Sequence, residues 1–307
     1  MEYPTDGIIL IDKDAGETSY GVVKKVKHLL KVRKVGHAGT LDPFATGLLI
    51  VLVGHATKLS HFIMSENKVY LATARLGVET DTMDCTGQVI RITGIPDIQP
   101  EYIRKKIQSF VGDIEQVPPA YSAVKYKGTR AYKLARKGIK IDLQKRRVTI
   151  HSMRIVSIQL PDVTFEVKCS SGTYIRSLAA DVGREVGTCA HLRSLRRLAS
   201  GPFEARYALN SGEITTESGH PLLGEKMIPL RAALPGMREI EVDGLVAEKV
   251  RHGYRPAWEE VKTRLNWSGF EGEHVKFVRD GELVAIMRIT NNERGNLGKF
   301  EIGRVFS

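Results

Sequence analysis

Cysteine is scarce in this chain, with Cys85, Cys169 and Cys189 as the three examples among 307 residues. Their odd number and lack of paired spacing argue against a disulfide framework or a zinc site. No His and Cys residues stand together at metal-ligand spacing, so we expect neither a metal nor another cofactor. Free thiols are typical of proteins from a reducing compartment.

Long hydrophobic runs are also missing. The longest apolar stretch, at 48–53, falls far short of the roughly 20 residues that a membrane-spanning helix needs. The first six residues are acidic and lack the apolar core of a signal peptide. P-loop, dinucleotide-binding and serine-nucleophile motifs are absent as well. The sequence therefore predicts a soluble cytoplasmic protein that does not span a membrane.

Charge of one sign is in excess, because the formal net charge is +11. Residues 236–307 hold 12 basic and 12 acidic residues, so the first 235 residues carry the whole excess, 34 basic against 23 acidic. A basic balance favours a polyanionic partner, either nucleic acid or an anionic membrane surface. The N-terminal part is therefore the expected binding part.

Composition divides the chain into two predicted domains. Ser, Gly, Thr and Pro cluster from about residue 208 up to residue 235, which is typical of a linker. Beyond it, β-type runs are joined by Asp280-Gly281, a two-residue hairpin signal. We predict a mixed α+β domain over 1–235, linker included, and a small β-barrel domain over 236–307.

Apolar periodicity predicts the main elements of the N-terminal domain. Ser19 and Thr173 are each expected to cap a helix, the second with a buried face that includes Ile175, Leu178, Ala179 and Val182. A third helix is predicted at 101–111, strands at 7–11, 48–53 and 68–76, and two further strands within 145–169.

The loop Gly36-His37-Ala38-Gly39-Thr40-Leu41-Asp42-Pro43-Phe44-Ala45-Thr46-Gly47 places one carboxylate directly before a buried strand. Pro43 restricts Asp42 to extended conformations. Rigid loops at sheet edges often carry functional groups. Asp-Pro is also a common turn signal, so the loop alone favours a turn and leaves a catalytic acid as the alternative.

Arg176 is a second candidate. On the helix predicted after Thr173 it would point away from the apolar face, near the positive helix end. If it lay close to Asp42, it would keep that carboxylate ionised. Arginine is mostly exposed in proteins, so a solvated surface charge is the simpler interpretation.

Two rings complete the set of candidates. Tyr70, in a predicted strand, could stack on a nucleic-acid base, although a half-buried strand tyrosine is the commoner case. His37 lacks a partner ligand and is interpreted as a binding or packing group. Two clusters of basic residues are interpreted either as a solvated face or as a phosphate-binding surface. The first consists of Lys125, Lys127, Arg130, Lys133, Arg136, Lys137, Lys140, Lys145, Arg146 and Arg147. The second consists of Arg193, Arg196 and Arg197.

These segments together resemble the TruB family of tRNA pseudouridine synthases. The resemblance rests on Gly-His-Ala-Gly-Thr-Leu-Asp-Pro at 36–43, Lys-Val-Tyr at 68–70, Gln-Val-Pro-Pro-Ala-Tyr-Ser-Ala-Val-Lys at 116–125, Gly-Thr-Tyr-Ile-Arg-Ser-Leu at 172–178 and His-Leu-Arg with Leu-Arg-Arg at 191–197. The family's Lys-Pro-x-Gly-x-Thr-Ser appears without its proline, as Lys13-Asp14-Ala15-Gly16-Glu17-Thr18-Ser19. The tail from about residue 236 is similar to a small PUA barrel, a weaker match.

The resemblance implies an isomerase that converts uridine 55 in the T loop of tRNA to pseudouridine. It implies a largely antiparallel sheet in the catalytic domain, no cofactor, no obligatory protein partner and a monomer that binds the T arm. The implied roles are Asp42 as catalytic acid, Tyr70 stacked on the uracil, Arg176 paired with Asp42, Tyr174 in the same pocket, His37 inserted into the T loop, Lys58 as a basic active-site group, and Arg193, Arg196 and Arg197 as tRNA contacts.

One acid is enough for such a reaction. A glycoside hydrolase generally uses two carboxylates, whereas an isomerase that detaches uracil and reattaches it through C5 consumes no water. Whether Asp42 attacks C1′ or removes the 2′ proton stays open. The alternatives are a guide-RNA-dependent relative, a tRNA-binding or RNA-folding factor without chemistry, and a nucleoside hydrolase, which the missing second acid disfavours.

Overall fold

Strands and short helices alternate along the chain in the computed structural model, which describes residues 5–139, 141–215, 219–261, 269–291 and 297–306. The strands are β1 (Gly7–Lys13), β2 (Val35–His37), β3 (Thr46–Val53), β4 (Lys68–Leu76), β5 (Val78–Thr80), β6 (Val89–Ile92), β7 (Gly112–Gln116), β8 (Lys125–Tyr126), β9 (Thr129–Arg130), β10 (Arg146–Gln159), β11 (Asp162–Cys169), β12 (Ala190–Ser200), β13 (Phe203–Glu204), β14 (Leu209–Asn210), β15 (Ile228–Pro229), β16 (Glu239–Glu241), β17 (His274–Arg279), β18 (Glu282–Asn291) and β19 (Leu297–Val305). The helices are α1 (Ser19–Leu30), α2 (Ser60–Ser65), α3 (Pro100–Gln108), α4 (Ala131–Ala135), α5 (Ile175–Glu185), α6 (Gly219–Glu225), α7 (Gly244–Arg251) and α8 (Trp258–Val261).

A large mixed sheet organises the N-terminal part, in the order β14-β1-β3-β12-β4-β11-β10-β7, with β2, β13 and β15 paired at its margins. Most pairs are antiparallel, and β1–β14 and β3–β12 are parallel. The mixed α+β fold is confirmed. Because β12 lies between β3 and β4, three segments that are distant in sequence become neighbours: the Asp42 loop before β3, Tyr70 on β4 and the arginines of β12.

Helices α1 and α5 cover one face of this sheet, and both begin one residue away from the expected position. Thr18, not Ser19, caps α1, because its hydroxyl accepts from the amide of Gly21 at 2.9 Å. Tyr174, not Thr173, is the first flanking residue of α5. The Thr173 hydroxyl instead donates to the carbonyl of Ser170 at 2.9 Å. In both places a neighbouring hydroxyl serves a loop rather than the helix end.

The other element predictions agree with the structure within a few residues. The three predicted single strands occur as parts of β1, β3 and β4, and the β-rich stretch 145–169 forms β10 and β11. The predicted apolar face of α5 is buried. The third helix ends at Gln108, earlier than expected, because the chain turns there into β7. In the described residues no helix is long and apolar enough to cross a membrane.

The C-terminal residues form a separate sheet in the order β16-β17-β18-β19. The hairpin at Asp280-Gly281 is confirmed, and both residues have positive φ (51° and 83°), as a tight β-hairpin turn requires. Within the described ranges, which omit 262–268 and 292–296, the outer strands β16 and β19 do not pair, so the expected barrel closure is not confirmed.

This second sheet packs against the large one. Along β1, Ile9 and Ile11 face the core under the helices, whereas Ile8 and Leu10 face a second hydrophobic cluster. That second cluster includes Phe306 and other apolar residues of the C-terminal sheet. Both faces of β1 are therefore buried, and the two sheets share a continuous hydrophobic contact.

Candidate active site

The loop that carries Asp42 is anchored by the segment 13–19. Lys13 is fully buried, and its ammonium group donates to the carbonyl of Pro43 at 3.2 Å and to two carbonyls of its own segment at 2.8 Å. The amide of Gly16 donates to the same Pro43 oxygen at 2.8 Å. These bonds hold the backbone of Pro43, the residue after Asp42, and leave the Asp42 carboxylate itself unconstrained by them.

A second pair of hydrogen bonds holds the loop on the other side of Asp42. The hydroxyl of Ser19 donates to the carbonyl of Leu41 at 3.1 Å and accepts from the amide of Leu41 at 2.9 Å. Both atoms are buried, so water does not compete for these bonds. Asp42 is therefore flanked on both sides by residues with a fixed backbone.

Asp14 stands where the family motif has proline, and its amide makes use of the difference. This amide donates to the hydroxyl of Ser211 at 3.0 Å, and that hydroxyl lies 3.0 Å from Oδ2 of Asp14. Ser211 is fully buried. Proline could not donate this bond. The turn at 13–19 is thereby joined to the segment that leads towards the C-terminal sheet.

Arg176 is an internal partner of Asp42, so its interpretation as a solvated surface charge was wrong. Arg176 is buried, with 5% of its surface exposed. Nε lies 3.0 Å from Oδ2 of Asp42, and Nη2 donates to Oδ1 at 3.4 Å. The guanidinium also donates to the carbonyls of Thr82 (3.0 Å) and Tyr121 (2.9 Å). Every side of this guanidinium has an acceptor, which fixes its orientation.

Asp84 is a site residue that the sequence analysis missed. Its Oδ2 lies 3.5 Å from Nη1 of Arg176. Its Oδ1 accepts from the hydroxyl of Thr82 (2.8 Å) and from the amide and hydroxyl of Thr86 (2.9 and 2.6 Å). The spacing Asp84-Cys85-Thr86 indicates a local Asx-type turn, but nothing in it indicates a contact with residue 176.

The two carboxylates beside Arg176 differ in access. The side chain of Asp42 is 33% exposed, whereas that of Asp84 is 6% exposed and saturated with hydrogen bonds. Burial raises the pKa of Asp42, and the negative charge of Asp84 adds to this; Arg176, and less strongly Lys13, counteract them. Only Asp42 can reach a substrate, which agrees with chemistry based on one acid.

Tyr70 and His37 lie close to the same loop. Tyr70 is half-buried against the main core and faces Arg197 across the β4–β12 pair; burial raises its pKa, and the charge of Arg197 counteracts this. His37 is half-buried on β2, and its Nδ1 has no hydrogen-bond partner in the described part of the chain. Burial and the nearby Arg197 lower the pKa of His37, so the imidazole is neutral at pH 7.

Arg197 does not belong to a surface cluster, contrary to expectation. It is 1% exposed and donates from Nε to the carbonyl of Leu48 at 2.6 Å. Arg196 is half-buried and forms two hydrogen bonds to Asp12. Arg193 is exposed and pairs with Asp162. Arg196 and Arg197 are successive and face opposite sides of the sheet, and Arg193 lies at the register irregularity between Leu192 and Ser194.

Lys58 was expected in the active site and lies elsewhere. Its ammonium donates to the carbonyl of Val305 at 2.7 Å and lies 5.4 Å from the ring centroid of Phe306. The short 3-10 turn at 54–59 carries it towards the C-terminal sheet. Tyr174 is half-buried, and its backbone exchanges hydrogen bonds with Gln116, which ties the start of α5 to β7.

The first basic cluster is exposed near the site. Tyr121, whose carbonyl accepts from Arg176, is followed by the hairpin β8–β9 and by α4. Lys140 lies outside the described residues. The exposed basic residues are Lys125, Lys127, Arg130, Lys133, Arg136, Lys137, Lys145, Arg146 and Arg147.

Fold and site together define an enzyme class in which one accessible carboxylate, oriented by a buried arginine, acts beside a basic surface. The family model described as "TruB family pseudouridylate synthase (N terminal domain)" matches residues 27–175. A tRNA pseudouridine synthase B from Syntrophotalea carbinolica is 37% identical and covers 98% of each chain. Its counterpart from Syntrophus aciditrophicus is 43% identical over 92% of this chain and 91% of the relative. The chain belongs to the TruB family of pseudouridine synthases.

Solved structures agree on the fold. A Cbf5-Nop10-Gar1 complex contains a chain that matches 99% of this protein and 85% of its own length, with a TM-score of 0.77 and 25% identity. An H/ACA RNP bound to a substrate RNA containing 2′-deoxyuridine gives a TM-score of 0.73 at 24% identity, over 98% of this chain and 85% of the other. The resemblance spans both sheets of the molecule.

Proposed function

We propose that this protein isomerises uridine 55 in the T loop of tRNA to pseudouridine. The observation that carries the proposal is the pair formed by Asp42 and Arg176, in which one carboxylate stays accessible on a loop fixed from both sides. The names of the relatives point to the same reaction, since those at 37% and 43% identity are tRNA pseudouridine synthases B.

In the proposed reaction, Asp42 acts on the sugar of the target nucleotide. The bond between C1′ and N1 breaks, the uracil turns, and a bond forms between C1′ and C5. The C5 proton is lost and N1 gains one, so atoms and charge balance without water. Arg176 keeps the carboxylate ionised and in one orientation, and the ring of Tyr70 stacks on the uracil while it is detached.

A uridine in a folded loop has to leave its stack before Asp42 can reach it, at a cost of a few kcal/mol. The exposed basic residues at 125–147 offset this cost through phosphate contacts, and His37, neutral and with a free ring nitrogen, takes the place of the extruded base. Tyr174 belongs to the same pocket. Arg193 and Arg196 extend the RNA surface along β12.

We assign residues 1–235 to a catalytic domain and residues 236–307 to a PUA-like RNA-binding domain. The neutral charge of the second domain suits a supporting contact with tRNA rather than the main one. We further propose a cytoplasmic location, since tRNA is the proposed substrate. We also propose a monomer that needs no obligatory protein partner.

The experiment uses tRNA transcript labelled with tritium at C5 of uracil, incubated with purified protein alone. Wild-type protein is expected to release tritium, and transcript with cytidine at position 55 should abolish that release. Asp42→Asn should bind tRNA but release none, whereas the exposed matched carboxylate variant Asp97→Asn should behave like wild type.

Three outcomes would contradict parts of this proposal. Release by Asp42→Asn at the wild-type rate would exclude the catalytic carboxylate. Binding without release by wild-type protein would favour an RNA-folding factor. Release that depends on an added guide RNA would favour a guide-dependent relative.

A further inference from the structure

Arg197 is a buried cation that forms no ion pair within the described part of the chain. It is 1% exposed, and its charge adds to the effect of burial in lowering the pKa values of Lys13, His37 and Lys68. Burying an ionised group costs several kcal/mol unless hydrogen bonds compensate it. A charge kept at such a position requires a structural or functional reason.

The side chain of Arg197 holds both ends of the loop that carries Asp42. Nε donates to the carbonyl of Leu48 at 2.6 Å, and Nη2 donates to the carbonyl of Gly39 at 3.1 Å. Leu48 follows Asp42 in the chain and Gly39 precedes it. One planar guanidinium therefore binds both ends of the loop, and its rigid set of donors suits this geometry.

The backbone of Arg197 approaches the same loop. Gly47 is its neighbour across the β3–β12 pair, and a Cβ on Gly47 would lie 2.3 Å from the carbonyl oxygen of Arg197. Gly47 also has a φ of +100°, which side chains rarely adopt. Only glycine lets the loop approach β12 this closely.

Arg197 also contacts Tyr70. The two residues are direct partners across the antiparallel β4–β12 pair, so their side chains lie side by side on one face of the sheet. The same side chain thus contacts the loop that presents the acid and the ring on the next strand. It is a direct physical link between Asp42's loop and Tyr70.

We infer that Arg197 is a positioning residue for the isomerisation, because its buried guanidinium sets the placement of Asp42 relative to the ring of Tyr70. The inference rests on the proposed function for its catalytic part. Its geometric part, that Arg197 orders the loop 39–48, stands independently. Lysine keeps the charge but has no planar fork, so it cannot hold both carbonyls of the loop while it lies beside the ring of Tyr70.

The first test measures loop order without any activity. Hydrogen exchange followed by mass spectrometry compares wild type with Arg197→Lys and Arg197→Met. Faster exchange is expected in the peptide covering 37–48, with unchanged exchange in the β10–β11 hairpin. Arg154→Met is the matched control, since Arg154 is 67% exposed and pairs with Glu166 on that hairpin. Wild-type exchange of the loop in both variants, or a uniform increase over the whole chain, would overturn the inference.

The second test measures single-turnover tritium release at saturating tRNA, together with the Kd for tRNA. Arg197→Lys is expected to lower the rate about 100-fold, the scale of a misplacement of about 1 Å, with Kd within about threefold of wild type. If Arg197 had only a structural role, Arg197→Lys would lower the amount of folded protein but would leave the rate of tritium release per folded molecule unchanged. An unchanged rate would overturn the inference, and so would a loss that lies wholly in Kd.

A double-mutant cycle with Tyr70→Phe tests the link to the ring. Tyr70→Phe removes the hydroxyl and leaves both loop carbonyls bonded, so the effect of Arg197→Lys on the rate should be smaller in that background. Full additivity would refute the contact with Tyr70 as part of the mechanism. If wild-type protein releases no tritium, the proposed function fails, and the exchange experiment still decides whether Arg197 orders the loop.

Discussion

Replacing Arg176 with methionine tests the electrostatic basis of the site most directly. The side chain keeps a similar length but loses the contacts of 3.0 and 3.4 Å to Asp42 and that of 3.5 Å to Asp84. The carbonyls of Thr82 and Tyr121 also lose their donor. Asp42 then stays on its anchored loop without the charge that orients it.

The magnitude follows from the 3.0 Å separation of the closest atoms of Arg176 and Asp42. Coulomb's law with an effective dielectric constant of about 20 gives about 5 kcal/mol. Solvent reaches a third of the Asp42 side chain, so we reduce this to about 2–3 kcal/mol of lost carboxylate stabilisation. Counted as lost transition-state stabilisation, about 2–3 kcal/mol corresponds to a rate about 30- to 150-fold lower.

The pH dependence should change in a defined direction. The proposed reaction needs Asp42 ionised, and burial already raises its pKa, so we expect the wild-type rate to fall as pH falls through that raised pKa. Arg176 is the largest influence that lowers this pKa. In Arg176→Met, burial and the charge of Asp84 still raise the pKa of Asp42, and only Lys13 is left to lower it. The acidic limb of the rate profile therefore moves to higher pH.

The assay is single-turnover tritium release between pH 5 and pH 9, well below the unfolding temperature of each variant. Arg184→Met is the matched control, because Arg184 lies on the same helix, is 60% exposed and pairs with Asp181. It should behave like wild type. A wild-type rate and an unshifted acidic limb for Arg176→Met would refute the reasoning about the pair.

Three further predictions concern stability. Gly47→Ala should lower the free energy of unfolding in urea titrations by about 2 kcal/mol or more, because its Cβ would clash with the backbone of Arg197. The control Gly128→Ala, which also has positive φ but open space around it, should cost about 1 kcal/mol. Equal losses in the two variants would contradict the close approach of Gly47 to Arg197. Ser211→Ala should lower the free energy of unfolding by about 1–2 kcal/mol, because the amide of Asp14 loses its acceptor. The control Ser171→Ala, at an exposed serine, should change it little. The same unfolding midpoint for both variants would argue against the Asp14–Ser211 contact. Calorimetry of the full chain should show one unfolding transition. Removal of residues 236–307 should lower the thermal midpoint, because Ile8 and Leu10 lose the apolar residues that cover them. Two independent transitions of the full chain would show that the sheets do not share a core.

Local patterns predicted the elements whose sequence carries a clear period. The runs at 48–53 and 68–76 are strands, and the apolar face of α5 is buried as its spacing indicates. The errors at the starts of α1 and α5 have a common cause. Thr18 and Ser19 are both good caps, and only the position of Leu41 decides which hydroxyl is used for the loop.

Residues whose role depends on distant partners could not be placed in this way. Asp84 meets Arg176, 92 positions further on, and the sequence around it indicates only a turn. Lys58 has a carbonyl partner at Val305, so its contact depends on how the C-terminal sheet packs. Closure of a barrel likewise depends on pairing between strands far apart, which alternation within each strand does not determine.

The sequence by itself determined that one acid, Asp42, stands in a loop stiffened by Pro43 and glycines before a buried strand, and that the basic excess lies in the same part of the chain. Tertiary structure alone decided that Arg176 and Arg197 are interior groups. Propensity assigns arginine to the surface because desolvating its charge is costly. For Arg197 that cost is offset only when β12 lies beside β3, so that the carbonyls of Leu48 and Gly39 accept from its guanidinium. For Arg176 the acceptors come from the turn at 82–86 and from the Asp42 loop.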